Sequence, residues 1–194
     1  MRTSLACTLL FAASLGACGR EPSAADVAQV YRAALDSLCG PLRDSSAMLV
    51  VAARTLPLDS GYVNPRASRA GPELPAELIQ SLRRANRAES VLVNFDLLPV
   101  RQAFLDSATA DRVVPRRCYT REVCDAAWAR FRAQYPGATG FVVVSRVGFS
   151  RDAGSAALVV AQQLGFLEGG ASVVVLSRTP GGWRVSRVIN FMVY

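Results

Sequence analysis

The sequence contains no histidine and no lysine; all 22 basic residues are arginine. Without histidine the commonest general base is missing, and without lysine a Ser–Lys arrangement is excluded. A metal site has little to build on, because histidine is absent and the cysteines lack ligand spacing. There is no Gly-x-Ser-x-Gly elbow, Walker-type loop or dinucleotide glycine loop. Past residue 18 no apolar run approaches the ~18 residues that a membrane-spanning helix needs. Carboxylates, 15 in all, are the remaining catalytic currency. They fall singly on helix faces and in turns. Asp59, Asp152 and Glu168 each lie within two residues of Gly or Ser, where aspartate favours turns by local hydrogen bonding.

What is present is a chain of 194 residues, 51% hydrophobic. That composition excludes disorder throughout, and the length suits one domain with a real core. The formal charge is +7. The arginines are dispersed, with only Arg83-Arg84 and Arg116-Arg117 adjacent, so no nucleic-acid stripe is evident. Codon bias of a GC-rich genome accounts for an all-arginine basic set; attraction to anionic head groups or polysaccharide is the functional alternative.

The first residues have their own logic. Arg2 supplies a positive start, Leu5 to Leu15 is a short apolar run, and small residues lead into Cys18. This is the layout of a secretory signal whose greasy part is too short to span a bilayer. Leu15-Gly16-Ala17-Cys18 resembles the lipobox of bacterial lipoproteins. The resemblance implies cleavage after residue 17, lipid on the Cys18 sulfur, and a membrane partner reached through that lipid. Gly19, rather than aspartate, after the cysteine implies the outer membrane, facing the periplasm. An exported protein excludes nucleic acid as a partner. Three cysteines then remain in an oxidising compartment. Cys118 and Cys124 can close a small loop and leave Cys39 as a buried thiol, but pairing of Cys39 with either is also open, since sequence does not fix connectivity.

Residues 18–23 read as a short tether and 24–194 as one α+β domain. Ser23 and Asp26 have capping-box spacing, and Val27, Val30, Tyr31, Ala34, Leu35 and Leu38 mark one helix face ended by Gly40-Pro41. Met48 to Ala53 reads as a buried strand, Thr55 to Pro75 as a long loop with room for binding, and Leu74 to Arg87 as a second helix. Val91 to Val100 suggests a short strand; Arg101 to Arg117 has no clear period. Thr120 caps a third helix whose face is Cys124, Trp128, Phe131 and Tyr135, and Pro136-Gly137 stops it. Four β-rich runs follow: Phe141 to Phe149, Ala156 to Gln163, Ser172 to Arg178 and Trp183 to Tyr194. Their short Gly-rich breaks force antiparallel neighbours. The expectation is about three helices packed on an antiparallel sheet that ends in a four-stranded C-terminal meander.

Trp128-x-x-Phe131, Tyr135-Pro136-Gly137, Gly140, Ser145-x-Val147-Gly148-Phe149, Asp152, Ala157-Leu158-Val159 and Gly182-Trp183-x-Val185 together resemble a C-terminal module of uncharacterised bacterial envelope proteins. Glu77-Leu78-Ile79 and Asn86 extend the likeness upstream. It implies a fold and a location but no activity. Relatives carry cysteines in the hairpin that here reads Gln162-Gln163-Leu164-Gly165-Phe166-Leu167, so a disulfide there is absent.

One polar pair stands out. Strict alternation places Arg187 on the face of Trp183 and Ile189, and Ser145 on the face of Phe141, Val143, Val147 and Phe149. If both point inward they line a pocket in which Arg187 recognises an acidic ligand. The alternative is a β-bulge near Arg187, or a sheet end where the guanidinium reaches water. The leading functional expectation is a lipid-tethered, non-enzymatic domain without cofactor or metal that binds an envelope protein or a small anionic ligand. A carboxylate-dependent periplasmic hydrolase and an envelope assembly or stress factor are the alternatives.

Overall fold

A computed structural model describes residues 22–39, 48–56, 58, 74–92, 101–113, 120–165 and 168–193, with side chains left out for 111–113 and 191–193. Cys18, Cys118 and most of the Thr55–Pro75 loop lie outside the described residues.

Helix α1 (Ala24–Leu38) begins at a complete capping box. Ser23 Oγ accepts from Asp26 N at 3.1 Å, and the Asp26 carboxylate accepts from Ser23 N at 3.0 Å. Strand β1 (Met48–Ala52) follows, then α2 (Ala76–Ala85), β2 (Arg101–Leu105), α3 (Ser107–Val113) and α4 (Arg121–Gln134), which Thr120 caps. The remaining strands are β3 (Phe141–Val144), β4 (Gly148–Phe149), β5 (Ser155–Gly165), β6 (Glu168–Thr179) and β7 (Gly182–Val193). No helix of the described residues is long and apolar enough to cross a membrane.

The strands form one seven-stranded sheet in the order β2-β1-β3-β5-β6-β7, with β4 also paired to β5. The C-terminal half is the expected antiparallel meander, and the molecule is broadly α+β. Two features depart from the sequence expectation. Four helices are described rather than about three, and the sheet is mixed: β1 runs parallel to both β2 and β3. The reason is connectivity. The chain passes through α2 between β1 and β2, and through α3 and α4 between β2 and β3. A helical crossover returns the chain to the end it left, so the joined strands run parallel. Residues 93–100 of the expected strand lie outside the described residues. Val91 makes an isolated bridge to Arg54, and strand β2 lies in the segment with no clear period.

Both faces of the sheet are covered, which explains uninterrupted apolar strands such as Met48–Val51 and Ala156–Val160. One face sets Leu49, Val51, Val142, Val144, Leu158, Val160, Val174, Leu176 and Trp183 against Val30, Tyr31, Ala34 and Leu35 of α1. The alternate residues form the other face. There Met48, Val50, Leu105 and Phe141 meet Trp128, Phe131 and Tyr135 of α4, while Ala157, Val159, Val173 and Val175 meet Leu78 and Leu82 of α2.

Strand β7 is the sheet's outer edge and is irregular. Its register slips between Val175↔Arg187 and Leu176↔Val185, leaving Ser186 as an extra residue, and slips again between Ser172↔Asn190 and Ala171↔Met192. Each slip is a bulge that bends the strand. The turn before it needs a left-handed residue, met by Gly182 at φ 109°.

Candidate functional site

The two residues that sequence reasoning singled out for an anion are not brought together. Ser145 lies between β3 and β4 beside β5, Arg187 lies on β7, and strands β5 and β6 intervene. The bulge at Ser186 also reverses the alternation. Trp183 and Val185 pack on the α1 side, whereas Arg187, opposite Val175, shares the α2 side with Ile189. Arg187 is half-buried there and has a partner of its own.

Ser145 is completely buried, and its polar atoms are spent on the sheet. The β3–β5 register of Val144↔Val160 and the β4–β5 register of Gly148↔Ala157 differ by one residue, so Ser145 to Val147 form a bulge. Ser145 N donates to Val159 O at 2.9 Å, and Val159 N donates back to Ser145 Oγ at 2.8 Å. The hydroxyl thus stands in for the ladder carbonyl that the bulge displaces. Ser145 Oγ in turn donates to Arg146 O at 3.0 Å.

The bulge is held from both sides of the sheet. Tyr31 of α1 donates its hydroxyl to Ser145 O at 2.9 Å. Asn86, the buried C-cap of α2, accepts from Arg146 N at 2.6 Å and donates to Arg146 O and to Leu82 O, each at 2.8 Å. Burial pushes the Tyr31 phenol well above its ordinary range, with the nearby Arg146 charge pulling the other way. Ser81 accepts from Phe149 N at 3.1 Å, completing the join between α2 and β4.

A second polar cluster ties the start of α1 to the β6–β7 turn. Asp26 is the one buried carboxylate among the described residues. It forms an ion pair with Arg178 and accepts from Trp183 Nε1 at 3.4 Å and from Ser23 Oγ at 2.8 Å. The Arg178 guanidinium also lies 5.2 Å above the Trp183 ring, and Phe149 meets that ring edge-on at 5.6 Å. Sequence reasoning placed Asp26 as a cap only; its link across 157 residues to Trp183 has no local signal. Asp152 is a turn aspartate, as expected: it accepts from Ser150 Oγ at 2.6 Å and Gly154 N at 3.0 Å, and these bonds hold its carboxyl below the usual range. Glu168 opens β6, and Asp59 lies outside the described residues.

Cys124 is buried on the inner face of α4, on the sheet side opposite Cys39, so these two do not pair across the sheet. Cys39 is a buried free thiol that accepts from Gln162 Nε2 at 3.6 Å. Burial pushes it up to about 11, with the Gln162 contact opposing. Among the described residues no group of His, Cys, Asp and Glu gathers as a metal site would require.

An alkaline profile follows from these groups. Lysine and histidine are absent, so cysteine and tyrosine dominate the titration above neutrality. Cys39 and Tyr31 both have folded-state values raised above their ordinary ones, so the protons they retain favour the fold. Unfolding free energy should be level from neutrality to pH 9 and decline as pH rises from 9 towards 11. Urea melts at stepped pH read this directly, and the Cys39→Ala/Tyr31→Phe variant should show a shallower decline. A steeper one would contradict the assignment.

Compared with known proteins, the chain matches no family model, no curated protein and no solved structure.

Proposed function

We propose that this chain is a membrane-anchored lipoprotein of the bacterial envelope, whose Cys18 sulfur carries diacylglycerol and whose α+β body is a non-enzymatic binding or interaction domain. The observation that carries the reading is Leu15-Gly16-Ala17-Cys18 behind Arg2 and a short apolar run. Each buried methylene contributes ~0.8 kcal/mol, and two or more acyl chains make attachment lasting. Gly19 after the cysteine favours the outer membrane, facing the periplasm. The body starts close by: α1 is capped at Ser23, so Gly19 to Ser23 are the only residues between anchor and helix.

Binding is favoured over catalysis by how the buried polar groups are used. Asp26, Asn86 and Ser145 each join separate elements, and no buried side-chain nitrogen or oxygen among the described residues lacks a hydrogen-bond partner. Among the described residues the one buried carboxylate, Asp26, is paired with Arg178 and not with a second carboxylate. The occupants this reading allows are an envelope protein or a small anionic ligand; a role in assembling other envelope proteins is distinguished by which proteins co-purify from solubilised membranes.

The Cys18→Ala chain should accumulate as an unlipidated precursor, read by intact-mass spectrometry of membrane fractions. A processed Cys18→Ala protein, or a wild-type protein without diacylglycerol, overturns the proposal.

A further inference from the structure

We propose that the arginines gathered where α2 ends, Arg83, Arg84, Arg87 and Arg146, form a docking surface for the anionic phosphate headgroups of the bilayer that holds the anchor. This inference rests on the lipid-anchored reading. Arg83 and Arg84 occupy the last turn of α2, and Arg87 follows its C-cap. Arg146 is brought there by the bulge, since both its backbone polar atoms bond to the Asn86 side chain. All four side chains are exposed, and among the described residues none has an ion-pair partner. The adjacent Glu89 is already taken by Arg54 at 3.0 Å.

Four like charges in one place repel, and something must offset the cost. A helix C-terminus attracts cations within its last turn. That accounts for Arg83 and Arg84 but not for Arg87, beyond the helix, or Arg146, on another element. Position favours the bilayer as the counter-charge. From Arg146 the path to Asp26 in the first turn of α1 crosses β5 to Arg178 on β6. At ~4.8 Å between strands and ~3.3 Å per residue along them, that is roughly 20 Å. The five residues from Gly19 to Ser23 extend to ~17 Å at most. A separation comparable to the tether's reach lets the body pivot about Ser23 and lay the arginines on the surface that holds the anchor, and an anionic surface attracts each nearby arginine about fivefold.

The test uses the acylated full chain in nanodiscs of phosphatidylcholine alone or with phosphatidylglycerol, read by hydrogen–deuterium exchange. Amides of 81–92 and 143–149 should exchange about fivefold more slowly in the anionic discs. Arg83→Gln/Arg87→Gln should abolish that difference, and Arg130→Gln/Arg132→Gln on α4 should leave it intact. Equal exchange in the two lipids overturns the proposal, as does equal protection by millimolar inorganic phosphate with phosphatidylcholine discs. A loss of protection shared by both double variants overturns it too, because total charge alone would then explain the effect. Failure of the anchor reading is separately visible as a chain without diacylglycerol in the same sample's mass spectrum.

Discussion

Trp128→Ala is expected to lower the unfolding free energy by about 3–5 kcal/mol. The ring is 4% exposed and stands at the centre of the α4 contact with the sheet. It meets Phe131 edge-on at 5.3 Å and stacks on Phe141 at 6.1 Å. Phe131 in turn packs against Tyr135 at 5.2 Å and Phe141 at 6.0 Å. Truncation therefore removes the apolar area of one large side chain and leaves a cavity bounded by rings that helix and strand hold in place. A domain of this size is stable by about 5–15 kcal/mol, so roughly a fifth or more of the total is at stake. Urea denaturation followed by far-ultraviolet circular dichroism measures it. A change below about 1 kcal/mol would show that the site collapses around the missing ring and that the aromatic group is not the anchor of this face.

Gly148→Ala is expected to be nearly as damaging, for the opposite reason. At Gly148 the backbone of α2 lies directly on the strand, and an added Cβ would overlap the Leu82 nitrogen and Cα. The obstructing atoms belong to a helix, so no side chain can swing aside. Relief requires moving α2, which would break the Phe149 N bond to Ser81 and strain the Asn86 bonds to Arg146. Overpacking costs about 1–3 kcal/mol where side chains can adjust, and this site should reach or pass the upper figure. The same melts, with Gly154→Ala in a half-buried turn as comparison, where an added Cβ meets only the Asp152 side chain, check the outcome. Equal stability of the Gly148 variant would mean that α2 is free to slide.

These two sites also show what was legible beforehand. The helical faces of α1 and α4 and their caps at Ser23 and Thr120 are local properties, and local spacing announces them. The same holds for the meander, where short turns leave one pairing open. The parallel half was not legible, because β1 pairs with β2 across some fifty residues and no local signal sets that register. The continuous apolar run of Met48–Val51 hinted at a strand covered on both sides, without naming its neighbours. Strand β2 and α3 were missed because each is short: five and seven residues do not establish a period. At the candidate site, Ser145 was rightly marked as an inward polar group, but its use depends on a one-residue bulge. Arg187 leaves the face of Trp183 through a one-residue bulge at Ser186, as the bulge reading of the sequence expects.

That irregular last strand has a consequence wherever copies of the chain crowd together. Crowded molecules meet edge to edge often, and a long regular border would let their sheets zip into ribbons. Two kinks and the arginines at 184 and 187 spoil the template that such stacking copies. Neighbouring copies can thus crowd side by side and remain separate.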